Sequence, residues 1–154
     1  MQIVEEFSHN CAQKILNEKR MRERIDLLFA EVTASFARGS ASALKDGLNN
    51  SLSRDGWVIS PRVHQEFNLT INAISNQVGL TIQTGNISRA FYDLMKFQAM
   101  FLRERLDVAV LALPSKNSAN SLGSNIANFE RVSTEMRLFD KIITVPCLLI
   151  SLES

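Results

Sequence analysis

Cysteine is nearly absent. Cys11 and Cys147 are the only two, far apart and without a C-x-x-C spacing. That excludes a disulfide framework, and two small apolar thiols suit a reducing compartment. Histidine is equally scarce: His9 and His64 stand alone, which excludes a His/Cys zinc centre. Net charge is missing too. The 17 Lys and Arg nearly cancel the 16 Asp and Glu, leaving +1. The chain as a whole exerts no pull on a polyanion, so any nucleic acid would have to meet a local basic patch. The apolar run Ile142 to Leu152 is too short to cross a bilayer and contains Pro146. Residues 1 to 10 carry Glu5 and Glu6 and no apolar stretch of signal-peptide type. The expectation is a cytoplasmic protein with no membrane partner. There is no Gly-rich phosphate loop, no Ser/His/Asp set and no close Cys/His pair, so neither nucleophilic catalysis nor a small-molecule cofactor is implied.

What remains is an ordinary globular composition: 154 residues, 45% hydrophobic and 21% charged. That is enough for one core without metal or disulfides. One domain over 1–154 is expected, with a helical N-terminal part (1–53) and a sheet core (54–154). Ile3, Phe7, Cys11 and Ile15 recur at four-residue spacing, and Ile25, Leu28, Phe29, Val32 and Phe36 at three to four, so helices are expected over 2–17 and 20–37. A further short helix fits 41–53, and "GWVIS" (56–60) reads as a strand. From Glu66 the period falls to two. Phe67, Leu69, Ile71 and Ala73 point one way, and Glu66, Asn68, Thr70 and Asn72 the other. After a turn near Ser75-Asn76, Val78, Leu80 and Ile82 alternate with Gly79, Thr81 and Gln83. A hairpin with Asn72, Thr81 and Gln83 on one face follows. A helix is expected from Ile87 to Arg105, a buried strand over 107–114, a loop at "SKNSANSLGSN", a helix over 124–139 and a strand over 142–152. Alternating helices and strands predict an α/β fold with a mixed sheet covered by helices.

That hairpin, followed by a Lys-bearing helix and a buried strand, resembles the PD-(D/E)XK nuclease core. More narrowly it resembles the BglII/BstYI branch of type II restriction endonucleases and their BamHI-like relatives. The branch carries an Asp on the hairpin and, nine residues later, Glu-x-Gln. Here Asn72 stands nine residues before Thr81, and Thr81-Ile82-Gln83 fills the second slot. Gln83 matches; Asn72 and Thr81 replace the acids. "TGNISRAFYDLMKFQ" and the upstream "DGW" also resemble the branch, and the likeness runs over about residues 52–150.

The resemblance implies a restriction-endonuclease-like fold, Mg²⁺ as cofactor, double-stranded DNA as partner and a homodimer, with the N-terminal helices as the expected interface. It places Asn72, Thr81 and Gln83 at the catalytic positions, with Asn72 and Thr81 as metal positions only if the site is retained. Mg²⁺ takes hard oxygen ligands, and hydrolysis relies on it to polarise the phosphate and lower the pKa of the attacking water. Asn72 and Thr81 offer neutral oxygens, so the expectation is a DNA-interacting protein with a degenerate metal site, inactive as aligned. Two alternatives stay open. One is an active Mg²⁺-dependent endonuclease with displaced acids, for which Asp93, Glu5, Glu6, Glu23 and Glu31 are candidates. The other is a non-catalytic interaction or regulatory domain. Arg89, Tyr92, Lys96 and Arg103 form one stripe on the helix after the hairpin, read either as a phosphate-facing strip with Lys96 nearest the site or as a solvated face. Lys116 and Asn117, in the Ser/Asn-rich loop, are further candidates for nucleic-acid contacts or ordinary turn residues. Trp57 reads as core, and Arg131 with Glu130 as a surface pair.

Overall fold

The computed structural model describes residues 1–154. The elements are β1 (Gln2–His9), α1 (Ala12–Glu18), α2 (Arg22–Glu31), α3 (Ala41–Arg54), β2 (Val58–Ile59), β3 (Arg62–His64), β4 (Phe67–Thr70), β5 (Ala73–Ser75), β6 (Val78–Ile82), α4 (Ile87–Phe101), β7 (Val108–Pro114), α5 (Lys116–Leu122), α6 (Phe129–Met136) and β8 (Cys147–Glu153). Six strands form a mixed sheet in the order β1-β8-β7-β6-β5-β2, and β3 pairs with β4 in a separate ribbon. Strands β6, β7 and β8 run parallel to one another; β1, β2 and β5 join antiparallel. This is the mixed α/β architecture that the residue pattern predicts. No helix is long and apolar enough to cross a membrane.

Strand β7 has no polar position, and all seven of its residues are buried. Its alternation divides the interior. Val108, Val110 and Ala112 pack with Leu16, Ile25, Phe29, Leu44 and Leu48 of α1, α2 and α3. Ala109, Leu111 and Leu113 pack with Leu94 and Phe97 of α4 and Phe129 and Val132 of α6. A strand with helices on both faces must be apolar on both. Trp57 is buried in the first of these cores, and its Nε1 donates to Asp55 Oδ2 at 3.0 Å. Cys147 lies in the second core, where burial pushes its thiol up to about 12. Cys11 is exposed rather than a core residue.

Several expectations are corrected, among them the helix over 20–37, which stops at Glu31, and the strand over 142–152, which begins at Cys147. Residues 2–9 form a strand, not the first half of a helix: β1 pairs along the edge of β8, from Gln2↔Glu153 to His9↔Cys147. A bulge between Ile3 and Glu5 shifts the register, so Ile3 packs on the first core and Phe7 on the second, and their four-residue spacing reflects no single face. The hairpin is also split. β5 and β6 pair through a two-residue turn at Asn76-Gln77, both with positive φ (47° and 58°), as a type I′ hairpin requires. The preceding β4 peels away to pair with β3, and Phe67 is 56% exposed rather than facing a core. "SKNSANSL" is helical. Ser115 caps it by accepting from Ser118 N–H, and Ala119 and Leu122 supply a buried side. Finally, Arg131 pairs with Glu135 at 2.7 Å, while Glu130 accepts from the Lys116 N–H.

Gly79 lets α4 approach β6. A Cβ there would sit 3.0 Å from Leu106 Cδ2, 3.1 Å from Phe97 Cε1 and 3.2 Å from Ile71 Cδ1. Gly79→Val is expected to lower stability by about 1–3 kcal/mol through overpacking. Gly47, inside α3, has only Val32 Cγ1 at 3.5 Å, so Gly47→Ala is expected to raise stability by about 0.5–1 kcal/mol. Urea unfolding midpoints read both, and equal effects at the two positions would contradict this packing.

Candidate functional site

The parallel pair β6–β7 ends where its antiparallel neighbour begins. Gln83 N–H donates to Ala112 O at 2.9 Å, one residue past β6, and then Thr84-Gly85 turn away. Asn86 starts α4, its Oδ1 accepting from Ser88 N–H at 2.8 Å. On the other side of β6 the chain reaches β5 through Ile71-Asn72. A cavity of about 400 Å³ opens at this carboxyl end of the strands, with α3 forming one wall and α4 another. Crevices at the carboxyl ends of parallel strands are where open α/β sheets hold ligands.

Asn72 and Thr81 lie side by side on its floor, 7% and 4% exposed. Their polar atoms serve the chain itself. Asn72 N–H donates to Thr81 Oγ1 at 3.3 Å, and Asn72 Oδ1 accepts from Ile82 N–H at 3.2 Å. Asn72 Nδ2 donates to Asn49 Oδ1 on α3 at 3.4 Å.

Two positions beyond Thr81, the Gln83 side chain is also engaged at both ends. Its Oε1 accepts from Gly85 N–H at 2.7 Å, fixing the turn. Its Nε2 donates to Asp93 Oδ2 at 2.5 Å. Asp93, on the first half of α4, is 4% exposed. Its second oxygen, Oδ1, receives Lys96 Nζ at 2.8 Å, and the same ammonium lies 4.8 Å from the Tyr92 ring centroid. A buried carboxylate without partners would be costly, and here both oxygens are matched, one by an amide and one by a cation. No buried side-chain nitrogen or oxygen in the chain lacks a partner.

The structure brings Asn72, Thr81, Gln83, Arg89 and Lys96 to one cavity. Asp93, a candidate displaced acid, reaches it. Glu5, Glu6, Glu23 and Glu31 do not: Glu6 pairs with Arg22, and Glu31 with Arg54. Nowhere do three or more His, Cys, Asp or Glu converge as a metal cluster. Lys116 and Asn117 are exposed at the start of α5 and do not line the cavity. Arg103, two residues past the end of α4, donates to Ala99 O and also stays outside. Sequence reasoning missed Ser42, Lys45 and Thr84, which do line it. For α3 nothing in the chain signals the approach, because the helix is far in sequence and its docking depends on Leu44, Leu48 and Leu52.

A family model for restriction endonuclease BglII/BglIII matches residues 4–152. The chain belongs to the BglII/BglIII restriction endonuclease family. Two solved structures agree on the fold. BglII complexed with a DNA 16-mer superposes with TM-score 0.81 at 15% identity, over 100% of this chain and 79% of that one. Free BglII superposes with TM-score 0.74 at 14% identity, over 100% and 80%. No curated protein matches the sequence. Within the BglII/BglIII family fold, the cavity sits where the split hairpin and α4 meet.

The Lys96–Asp93 pair has side chains only 16% and 6% exposed. Lys96→Met should leave an uncompensated buried carboxylate and cost about 3 kcal/mol. Adding Asp93→Asn keeps an acceptor for Gln83 and should recover most of that loss. A double-mutant cycle by urea denaturation checks this, and additive losses would show that the two charges do not depend on each other.

Proposed function

We propose that this chain is a DNA-interacting, restriction-endonuclease-like protein whose metal site is degenerate, with Asn72 and Thr81 in the places of Asp and Glu and Gln83 retained. The observation that carries the reading is the state of the cavity's oxygens. Asn72 Oδ1 accepts from Ile82 N–H, and Thr81 Oγ1 accepts from Asn72 N–H. The sole carboxylate, Asp93, is matched by Gln83 and Lys96. Mg²⁺ demands near-octahedral oxygen ligation and favours carboxylates. One carboxylate already neutralised by an ammonium, beside neutral amide and hydroxyl oxygens, does not fit it.

Support for DNA as the partner comes from the family and from the cavity's charge. The matched BglII structure was solved with a DNA 16-mer. Lys45, Arg89 and Lys96 line this cavity against a single acid. Part of the same proposal, carried by the resemblance alone, is a single domain that works as a homodimer.

One observation favours a second reading, an active nuclease with displaced ligands: Asp93 does converge on the cavity. It would then have to exchange Lys96 for a metal and recruit at least one further acid.

Calorimetric titration of Mg²⁺ and Mn²⁺, with and without duplex DNA, separates the two. The natural chain should show no stoichiometric metal binding, and Asn72→Asp/Thr81→Glu should gain it. Metal binding by the natural chain, accompanied by nicking of duplex DNA, would overturn the proposal in favour of displaced acids.

A further inference from the structure

We infer that Lys96 supplies, as part of the chain, the positive charge that a divalent cation would bring, so that the cavity holds a phosphate group without metal. The inference rests on the degenerate-site reading and deepens it, by naming what the emptied cavity takes and which residue takes it.

Three observations carry it. First, the ammonium is fixed rather than free. Lys96 Nζ is 2.8 Å from Asp93 Oδ1 and 4.8 Å from the Tyr92 ring centroid, partners three and four residues earlier on the same helix. Asp93 is fixed in turn by Gln83, whose other end is tied to Gly85. An ammonium held in this way keeps donor capacity beyond the one bond to Asp93, since it has three hydrogens. Second, the cavity is cationic although the chain is nearly neutral. Lys45, Arg89 and Lys96 face one carboxylate, whereas the whole chain carries only +1. Lys45 and Arg89 are in no ion pair, unlike Arg22, Arg24, Arg54 and Arg131. Third, the neutral lining suits an oxyanion: Thr70 and Thr84 border the same space, while the Ser42 hydroxyl is given to Asp46. A metal ion entering this space would meet three cations against one already paired carboxylate, whereas a phosphate would meet an excess of opposite charge.

The chemistry explains why binding would not lead to cleavage. An ammonium offers charge and hydrogen bonds to phosphate oxygens, but it cannot coordinate a water and lower its pKa as a metal does. The shared ligand chemistry is a phosphate group, either a phosphodiester within duplex DNA or a free phosphate.

Two probes in EDTA test this: inorganic phosphate, followed by shifts of the Lys45, Gly85 and Arg89 backbone amide resonances, and a DNA duplex, followed by fluorescence anisotropy against salt. Variants of opposite sign make the result specific. Lys45→Met and Lys96→Met should each weaken phosphate about tenfold or more, as losing a charged hydrogen bond does. Each should also reduce the salt slope of duplex binding by about one unit. Asp93→Asn should strengthen phosphate binding, because it removes the one opposing charge. Lys45→Met changes an exposed side chain and Asp93→Asn keeps the hydrogen-bond acceptor, so the test does not depend on Lys96→Met folding.

Binding of both probes in EDTA with these signs supports the inference with DNA as the source of the phosphate. Phosphate bound but duplex refused supports it with a free phosphate, and overturns the DNA reading. Duplex bound with phosphate refused, or with all three variants silent, places DNA elsewhere and overturns the inference while sparing the DNA reading. Phosphate binding that requires Mg²⁺, or that Asp93→Asn weakens, overturns the inference in favour of a metal.

Discussion

A carboxylate that is 4% exposed has to be matched where it stands. Asp93 is matched by Gln83 from the sheet and Lys96 from its own helix. That tie joins the end of β6 to the first half of α4 and sets the shape of the cavity between them. Around it, Gly79 lets Phe97 close onto the sheet, and Gln83 Oε1 fixes the turn at Gly85 from which α4 departs. The cavity's electrostatics follow from the same tie. With Asp93 satisfied internally, the lining presents Lys45, Arg89 and the remaining donors of Lys96.

The contacts that hold the sheet are largely separate from those that line the cavity. The sheet is held by the apolar alternation of β7, which makes one core with α1, α2 and α3 and another with α4 and α6. None of those contacts uses residues 72 or 81. Asn72 and Thr81 bond one another across the hairpin, and Asn72 reaches Asn49 on α3. On the proposed reading, acids were exchanged for neutral residues that close their hydrogen bonds within the protein, and the charge once supplied by a bound ion is supplied by a side chain.

Much of this was legible in the residues, and the gaps have identifiable causes. β6, α4 and β7 could be read because their periodicities are long and one-signed: seven apolar positions for β7, a three-to-four spacing of apolar positions for α4. β1 was not, because a bulge between Ile3 and Glu5 breaks the two-residue period and leaves a four-residue spacing that looks helical. The split of the hairpin at Ile71-Asn72 depends on Ser60 N–H donating to Asn72 O at 2.8 Å, a contact no local pattern announces. At the site, register placed Asn72, Thr81 and Gln83 together, and helical spacing placed Arg89 with Lys96. That Gln83 also reaches Asp93 joins residues ten apart, and Lys45 comes from a helix docked mainly through Leu44, Leu48 and Leu52, which no local pattern places beside the hairpin.

Crystals grown with duplex DNA and soaked in Mn²⁺ offer the most direct view, because anomalous scattering locates the ion without reference to activity. No anomalous peak in the cavity, with a backbone phosphate against Lys96 and Asp93 still paired to it, is the expected result. A peak bound to Asp93 together with the oxygen of Asn72 or Thr81, and Lys96 swung away, would contradict a cavity that has exchanged its metal for a lysine.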